Sequence, residues 1–365
     1  MTSSNEIIIT LLGDISLNGV LSENSNHLKE HFSDILPYFS ENTMVFANLE
    51  AGLKGSHPVP GKFTHFASEE SLRILLPLLH VQVLSLANNH TFDFGAEGLK
   101  KTIRLLDELT IRYCGAGTTK QQKFTLIEKQ GFRIGFLAYV HHSTHPALPS
   151  DTDNVFINIF SVETVIADIQ QVKKHCHCII VSVHWGDDYS FFPTKQQKQD
   201  ARLMIDAGAD IIAGHHPHTI QPYEKYKNGH IFYSLGSLCY GEYKNHRGLM
   251  VSLPKKTKKS YIIQLRYPSF SIQAIPVQEK KQNYLTTDSG NFFLWSKKIL
   301  SVSALIERWP VLYFFVICKE KIADRIYEFF FGYYPRGYKE FFSFYTFVRI
   351  KKLMNRLFLA LRKQQ

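Results

Sequence analysis

Cysteine is scarce and unpatterned in this 365-residue chain. Cys114, Cys176, Cys178, Cys239 and Cys318 form an odd set without framework spacing. That excludes a disulfide scaffold and points to free thiols in a reducing compartment. Apolar runs approaching the roughly 20 residues of a membrane-spanning helix are also missing. So is a secretory leader: Met1-Thr2-Ser3-Ser4-Asn5-Glu6 lacks both a basic start and an apolar segment, and strand-like sequence begins at Ile7. The expected location is therefore cytoplasmic. Internal repeats and low-complexity tracts are absent from the sequence. With 44% hydrophobic residues, the chain is long enough to bury one large α/β core and carry an appendage.

What the chain has is a set of apolar runs that end on ligand-type residues. Residues 7–12 run into Gly13-Asp14, 44–47 into Asn48-Leu49-Glu50, and 81–87 into Asn88-Asn89-His90. Residues 179–183 run into His184-Trp185-Gly186, and 209–213 into Gly214-His215-His216-Pro217-His218. Strand ends are where an α/β fold presents its chemistry. Core packing explains one such coincidence readily, but not five. Carboxylates such as Asp14 and Glu50 offer hard oxygens, and one carboxylate can bridge two cations; the imidazoles of His184, His216 and His218 offer nitrogens that suit Mn, Zn or Fe better than Ca. The residues thus point to one or two divalent metal ions. Such a centre polarises an ester oxygen and lowers the pKa of a bound water to roughly 7. His90 is left to act as general acid.

These motifs, together with Asp93, Gly95 and Tyr233-Ser234-Leu235-Gly236, resemble the bacterial CapA family over about residues 5–250. That family is tied to capsule and poly-γ-glutamate synthesis and is a branch of the calcineurin-like metallophosphoesterase superfamily. The resemblance implies a metallophosphoesterase-like mixed β-sandwich flanked by helices. It also implies Asp14, Glu50, Asn89, His184, His216 and His218 as metal ligands, with His90 and Asp93 as the catalytic residues. Two positions depart from the superfamily pattern: Ser16 stands where a histidine is common, and Glu50 where a bridging aspartate usually sits. The implied function is a metal-dependent hydrolase acting on a phosphoester or related bond in a cell-surface polymer or its lipid-linked precursor. Its partner would be an anionic polymer or phosphorylated substrate. A non-catalytic capsule-assembly protein on the same fold is the alternative.

Periodicity predicts strands at 7–12, 43–47, 81–86 and 111–114, alternating with helices within 27–39, at 68–79 and at 96–109, as βαβ units do. Residues 123–128 and 132–139 read as a hairpin around Gln130-Gly131. Helix 161–174 leads to strand 178–183, and helix 195–207 to strand 209–213; 231–235, 248–253 and 261–267 read as antiparallel strands. His175-Cys176-His177-Cys178 mixes soft and borderline ligands, but adjacent residues at a strand start face opposite ways, so it reads as a helix-to-strand junction. Loops 57–65 and 141–146 carry further histidines and are candidates to lie over the centre. Lys62, Arg73 and Tyr189 are candidates for orienting an anionic substrate.

Two domains are expected: a metal-binding unit over 1–270 and a basic, aromatic, helical appendage over 285–365. Residues 251–365 hold 21 Lys and Arg against 7 Asp and Glu, an excess of 14 positive charges. Residues 1–250 are therefore left at −4, given the whole-chain value of +10. Short aromatic runs at 311–318, 329–334 and 341–345 are interleaved with Lys and Arg. That pattern suits peripheral contact with an anionic membrane surface, or packing on the catalytic domain. A nucleic-acid partner is not expected, since no recognition fold is legible.

Overall fold

The computed structural model describes residues 6–60, 62, 64–119, 123–244, 250–251, 254–280, 285–287 and 292–308. The chain separates into two units, residues 1–242 with 253–300, and residues 243–252 with 301–365. In the first unit, one sheet is built from β1 (Ile7–Ser16), β2 (Thr43–Leu49), β3 (Val81–Ser85), β4 (Arg112–Cys114), β13 (Ser237–Tyr240), β16 (Lys259–Tyr267), β17 (Ser271–Glu279) and β18 (Leu285–Thr287). Its order is β18-β17-β16-β1-β2-β3-β4, with β13 also paired to β1. Strands β1 to β4 are parallel, as βαβ crossovers require, and β16 to β18 extend the sheet antiparallel.

The second sheet has the order β11-β12-β10-β9-β7-β6. Its strands are β6 (Phe124–Lys129), β7 (Phe132–Val140), β9 (Cys178–His184), β10 (Ile211–His215), β11 (Tyr223–Tyr226) and β12 (Gly229–Phe232). A small ladder joins β5 (Ala116–Gly117) to β8 (Phe156–Ile157). In the second unit, β14 (Tyr243–Lys244) pairs antiparallel with β15 (Met250–Val251).

Period-2 alternation decides what each face buries. On β7, Ile134, Phe136 and Ala138 join the core shared with the first sheet, where Phe136 stacks on Phe46 with ring centroids 5.4 Å apart. Leu137 and Tyr139 face the other way, onto α5 (Val162–Val172) and α6 (Lys195–Ala207), through Val165, Ile169 and Met204. On the first sheet, Leu72 and Leu75 of α3 (Glu69–Leu78) and Leu99 and Ile103 of α4 (Gly95–Glu108) add the flanking helical layer. These helices start where the chain supplies caps: the side chains of Ser68, Ser161 and Thr194 each accept a backbone N–H three residues on. The mixed α/β sandwich flanked by helices that the sequence implied is the observed architecture.

Local readings differ in three places. The helix expected within 27–39 is instead α2 (Leu28–His31) and a 3-10 turn at Leu36–Tyr38, preceded by α1 (Val20–Glu23), because Pro37 prevents a continuous helix. The strand read at 231–235 is β12, antiparallel to β11 but parallel to β10. Strand β17 was not anticipated, since Pro276 interrupts its pattern. The tail opens with α7 (Phe292–Arg308), whose Phe292 packs on Tyr261 with ring centroids 4.4 Å apart. Of 248–253 only residues 250–251 are described, and the aromatic runs beyond 308, with Cys318, lie outside the described residues.

Two glycines let strand ends approach other backbone. A Cβ on Gly13 would sit 2.0 Å from the Gly236 oxygen, and one on Gly214 would sit 1.9 Å from the Tyr233 oxygen. Both obstacles are backbone and cannot rotate aside. Gly13→Ala and Gly214→Ala should each destabilise the fold by about 1–3 kcal/mol or more, the range for forced overpacking. Denaturant midpoints that match the parent protein would show the contacts to be slack.

Candidate metal centre

The site forms where strand ends from both sheets converge. Register places Asp14 of β1 opposite Asn48 of β2 and Ser237 of β13, and His215 of β10 opposite His184 of β9. Beyond β10 the backbone takes left-handed conformations at His216 (φ 94°) and His218 (φ 54°), which side chains other than glycine rarely adopt. Such strain persists only where the surroundings impose it. Here the Tyr189 N–H donates to the Pro217 oxygen at 2.8 Å, and His218 Nδ1 lies 3.0 Å from Ser237 Oγ.

Glu50 is fully buried at the middle of the cluster. Its Oε1 lies 3.5 Å from His218 Nε2, 3.7 Å from His184 Nε2 and 4.0 Å from His90 Nε2. Two groups offer ligand atoms within 4.8 Å of one another: Glu50, His216 and His218, and Asp14, Glu50 and His184. Glu50 belongs to both. Asn89 joins the cluster through Oδ1, 2.8 Å from His184 Nε2. All six ligands named from the sequence are thus brought together.

Hydrogen bonding provides an independent test of whether an ion fits. Among the described residues, buried side-chain polar atoms without a hydrogen-bond partner gather at this site: Ser16 Oγ, both Glu50 oxygens, His215 Nε2 and His216 Nδ1. Burying such atoms unsatisfied costs about 1–3 kcal/mol each, more for a charge. A divalent cation between Glu50 and the imidazoles would satisfy the Glu50 oxygens, and the donor set of carboxylate oxygen and imidazole nitrogen suits a transition metal.

Around these atoms runs a shell of amides that sequence reading did not single out. Asn48 donates through Nδ2 to Asp14 Oδ1 at 2.8 Å, and Asn88 donates to Asn48 Oδ1 at 3.2 Å and to the Leu49 oxygen at 2.7 Å. Asn88 Oδ1 in turn accepts the His90 N–H at 3.0 Å. His215 was quoted in the motif but given no role; its Nδ1 lies 3.0 Å from Asp14 Oδ1, close enough for an ion pair. Both asparagines stand beside called residues in the Asn48-Leu49-Glu50 and Asn88-Asn89-His90 motifs, and that adjacency was the available signal.

His90 and Asp93 form a pair, Nδ1 to Oδ2 at 2.6 Å. The second Asp93 oxygen meets Lys62 Nζ at 2.6 Å, and His65, buried edge-on against His90 with centroids 3.9 Å apart, donates its N–H to Asp93 at 2.7 Å. Loop 57–65 therefore reaches the site. Loop 141–146 does not join the ligands: His141 packs on Phe160, and His142 and His145 are exposed. Arg73 is likewise removed, pairing with Glu69 and Glu108 on the surface, because α3 turns it away from the strand ends. Tyr189 lies at the rim, its ring centroid 6.1 Å from that of His218. Residues 175–178 form the predicted junction, with a 3-10 turn ending at His175 and β9 starting at Cys178.

Electrostatics separate the two carboxylates. Burial pushes Asp14 up, but hydrogen bonding from His215 and His218 outweighs it and leaves Asp14 well below the usual range. Burial and then the neighbouring Asp14 charge push Glu50 well above its usual range. Burial also lowers His90, His184 and His216; for His184 and His216 this favours the neutral form that a nitrogen ligand needs.

Comparison with known proteins identifies the family. Residues 8–242 match the family described as bacterial capsule synthesis protein PGA_cap. The chain belongs to this family. It is 27% identical over 325 residues to the capsule biosynthesis protein CapA of Bacillus anthracis, covering 81% of this chain and 76% of that one. It is 32% identical over 226 residues to the PGA biosynthesis protein CapA of Bacillus subtilis, covering 58% of this chain and 57% of that one. Among solved structures, a putative 5′-nucleotidase from Staphylococcus aureus is a looser match, with a TM-score of 0.40 and 14% identity over 83% of this chain and 58% of that one. The resemblance of the motifs to the CapA family thus reflects membership.

Metal uptake is directly measurable in this PGA_cap protein. Chelator-treated protein titrated with Mn or Zn should bind the ion, and at a concentration 100 times Kd should gain about 2.7 kcal/mol of stability. His216→Ala and His218→Ala should lose most of both effects. Stability unmoved by either ion would rule the centre out.

Proposed function

We propose that this PGA_cap protein is a metal-dependent hydrolase that cleaves a phosphoester or related bond in a cell-surface polymer or its precursor. The observation that carries the reading is the buried Glu50 carboxylate, with no hydrogen-bond donor and three imidazoles within 4.0 Å. Asp14, Glu50, Asn89, His184, His216 and His218 would hold one or two ions of Mn, Zn or Fe type. A divalent cation there supplies Lewis acidity toward the substrate oxygen and makes hydroxide available near neutral pH. Hydrogen bonding from His215 and His218 favours the ionised form of Asp14, whereas burial and the Asp14 charge disfavour that of Glu50.

His90 is the proton-transfer residue in this reading. Asp93 engages Nδ1, so Nε2 is the atom left to exchange a proton with the leaving group, and it points toward Glu50. Asp93 acts as its positioning partner, in the way carboxylates orient catalytic imidazoles. The relatives named for capsule and PGA biosynthesis support an anionic polymer or phosphorylated molecule as substrate. The basic aromatic composition of 251–365 supports contact with an anionic membrane surface. A second reading, a capsule-assembly protein that binds without catalysis, is favoured by Ser16, whose buried hydroxyl stands where the superfamily commonly has a histidine ligand.

His90→Ala separates the two. In the hydrolase it should retain metal and lose roughly 10²- to 10⁴-fold in turnover of substrates with poor leaving groups, the usual scale of acid catalysis. Activated aryl esters, which scarcely need protonation, should be affected far less. Metal-loaded parent protein inert toward phosphoesters of both kinds would favour the binding reading, and equal turnover by the variant would remove His90 from the mechanism.

A further inference from the structure

The two ring nitrogens of His216 have different surroundings. Nε2 lies 3.3 Å from Asp188 Oδ1, whereas Nδ1 is buried and has no hydrogen-bond partner. Asp188 stands two residues beyond the His184-Trp185-Gly186 motif. Its side chain is 62% exposed and that of His216 is 5% exposed, so the contact joins an interior ring to a carboxylate at the surface.

Backbone bonds fix this pair from both sides. Before Asp188, the Trp185 N–H donates to the His215 oxygen at 3.1 Å; after it, the Tyr189 N–H donates to the Pro217 oxygen at 2.8 Å. The Ser190 oxygen then accepts from the Thr219 hydroxyl at 2.7 Å and from the Gln221 amide at 3.0 Å. The segment that carries Asp188 is thus fastened to the segment that carries His216. A neutral imidazole has one ring proton, on Nδ1 or on Nε2, and the hydrogen bond made by one nitrogen decides the role of the other. A carboxylate accepts and cannot donate, so Asp188 favours the proton on Nε2 and leaves a lone pair on Nδ1, the buried nitrogen.

We propose that Asp188 is a positioning residue, which holds the ring proton of His216 on Nε2 and so offers the Nδ1 lone pair to a divalent ion held with Glu50 and His218. This rests on the metal-dependent reading of the centre. The tautomer itself belongs to the chain and is set before an ion binds. A carboxylate behind a ligating imidazole also raises its basicity, so removing Asp188 weakens the ion without removing a ligand.

The test uses full-length protein with isotope-labelled histidine ring nitrogens and compares the parent with Asp188→Ala and Asp188→Glu. Nitrogen NMR of the metal-free proteins reads the tautomer, the His216 signals being identified by their loss in His216→Ala. The parent and Asp188→Glu should carry the His216 proton on Nε2, and Asp188→Ala should lose that preference. Zn is then titrated calorimetrically into each. Asp188→Ala should bind it roughly 10- to 100-fold more weakly, the usual cost of removing the partner behind a ligating imidazole, and Asp188→Glu should recover most of the affinity. A proton on Nδ1 in the metal-free parent, or a tautomer that Asp188→Ala leaves unchanged, would overturn the proposal, as would equal Zn affinity in the parent and Asp188→Ala. If the parent takes up no Zn, the metal-dependent reading falls separately. The spectra then decide Asp188 alone, and identical His216 signals in the parent and Asp188→Ala overturn its role.

Discussion

A carboxylate with neither solvent nor a hydrogen-bond donor is the constraint around which this protein is arranged. Glu50 is placed by β2 at a depth where an isolated negative charge is expensive, and burial together with Asp14 drives it toward the protonated form. Three imidazoles face it, and none is within hydrogen-bond distance. The surrounding groups are fixed by other means. The Asn48–Asn88 amide chain and the Ser237 hydroxyl hold Asp14 and His218. An arrangement of this kind is stable only if something positive completes it.

The Asp93 side of the cluster is organised by the opposite principle, saturation. Asp93 receives three donors, from Lys62, His65 and His90, and each of its oxygens is used. The cluster thus joins an unsatisfied carboxylate, Glu50, to a satisfied one, Asp93, that holds the His90 ring. They lie on either side of the His90 ring, which is why one histidine can serve both.

Much of this was legible in the sequence, for a physical reason. Parallel strands buried on both faces read as continuous apolar runs, and a polar residue that ends such a run stands out against the core that precedes it. Asp14, Glu50, Asn89, His184, His216 and His218 were all visible in that way. Their supports were not, because Asn48 and Asn88 act through side-chain geometry and His215 is hidden between two stronger candidates. Arg73 failed as a site residue because side-chain type says nothing about which way α3 turns it. The helix within 27–39 and strand β17 were misread at Pro37 and Pro276, where local punctuation and tertiary pairing disagree.

The segment Tyr233-Ser234-Leu235-Gly236 runs between the two sheets at the level of the ligands. Gly236 oxygen accepts the Asp14 N–H at 3.0 Å, and Leu235 donates to the Gly214 oxygen at 3.1 Å, while Gly13 and Gly214 leave no room for a Cβ against this segment. It is a gauge block: it sets the gap between β1 and β10 through backbone alone. Were ions of different radius bound there, the sheets could not open or close to fit them. The adjustment would fall to side-chain rotation, and Glu50, with one methylene more than Asp14, would have the longer reach.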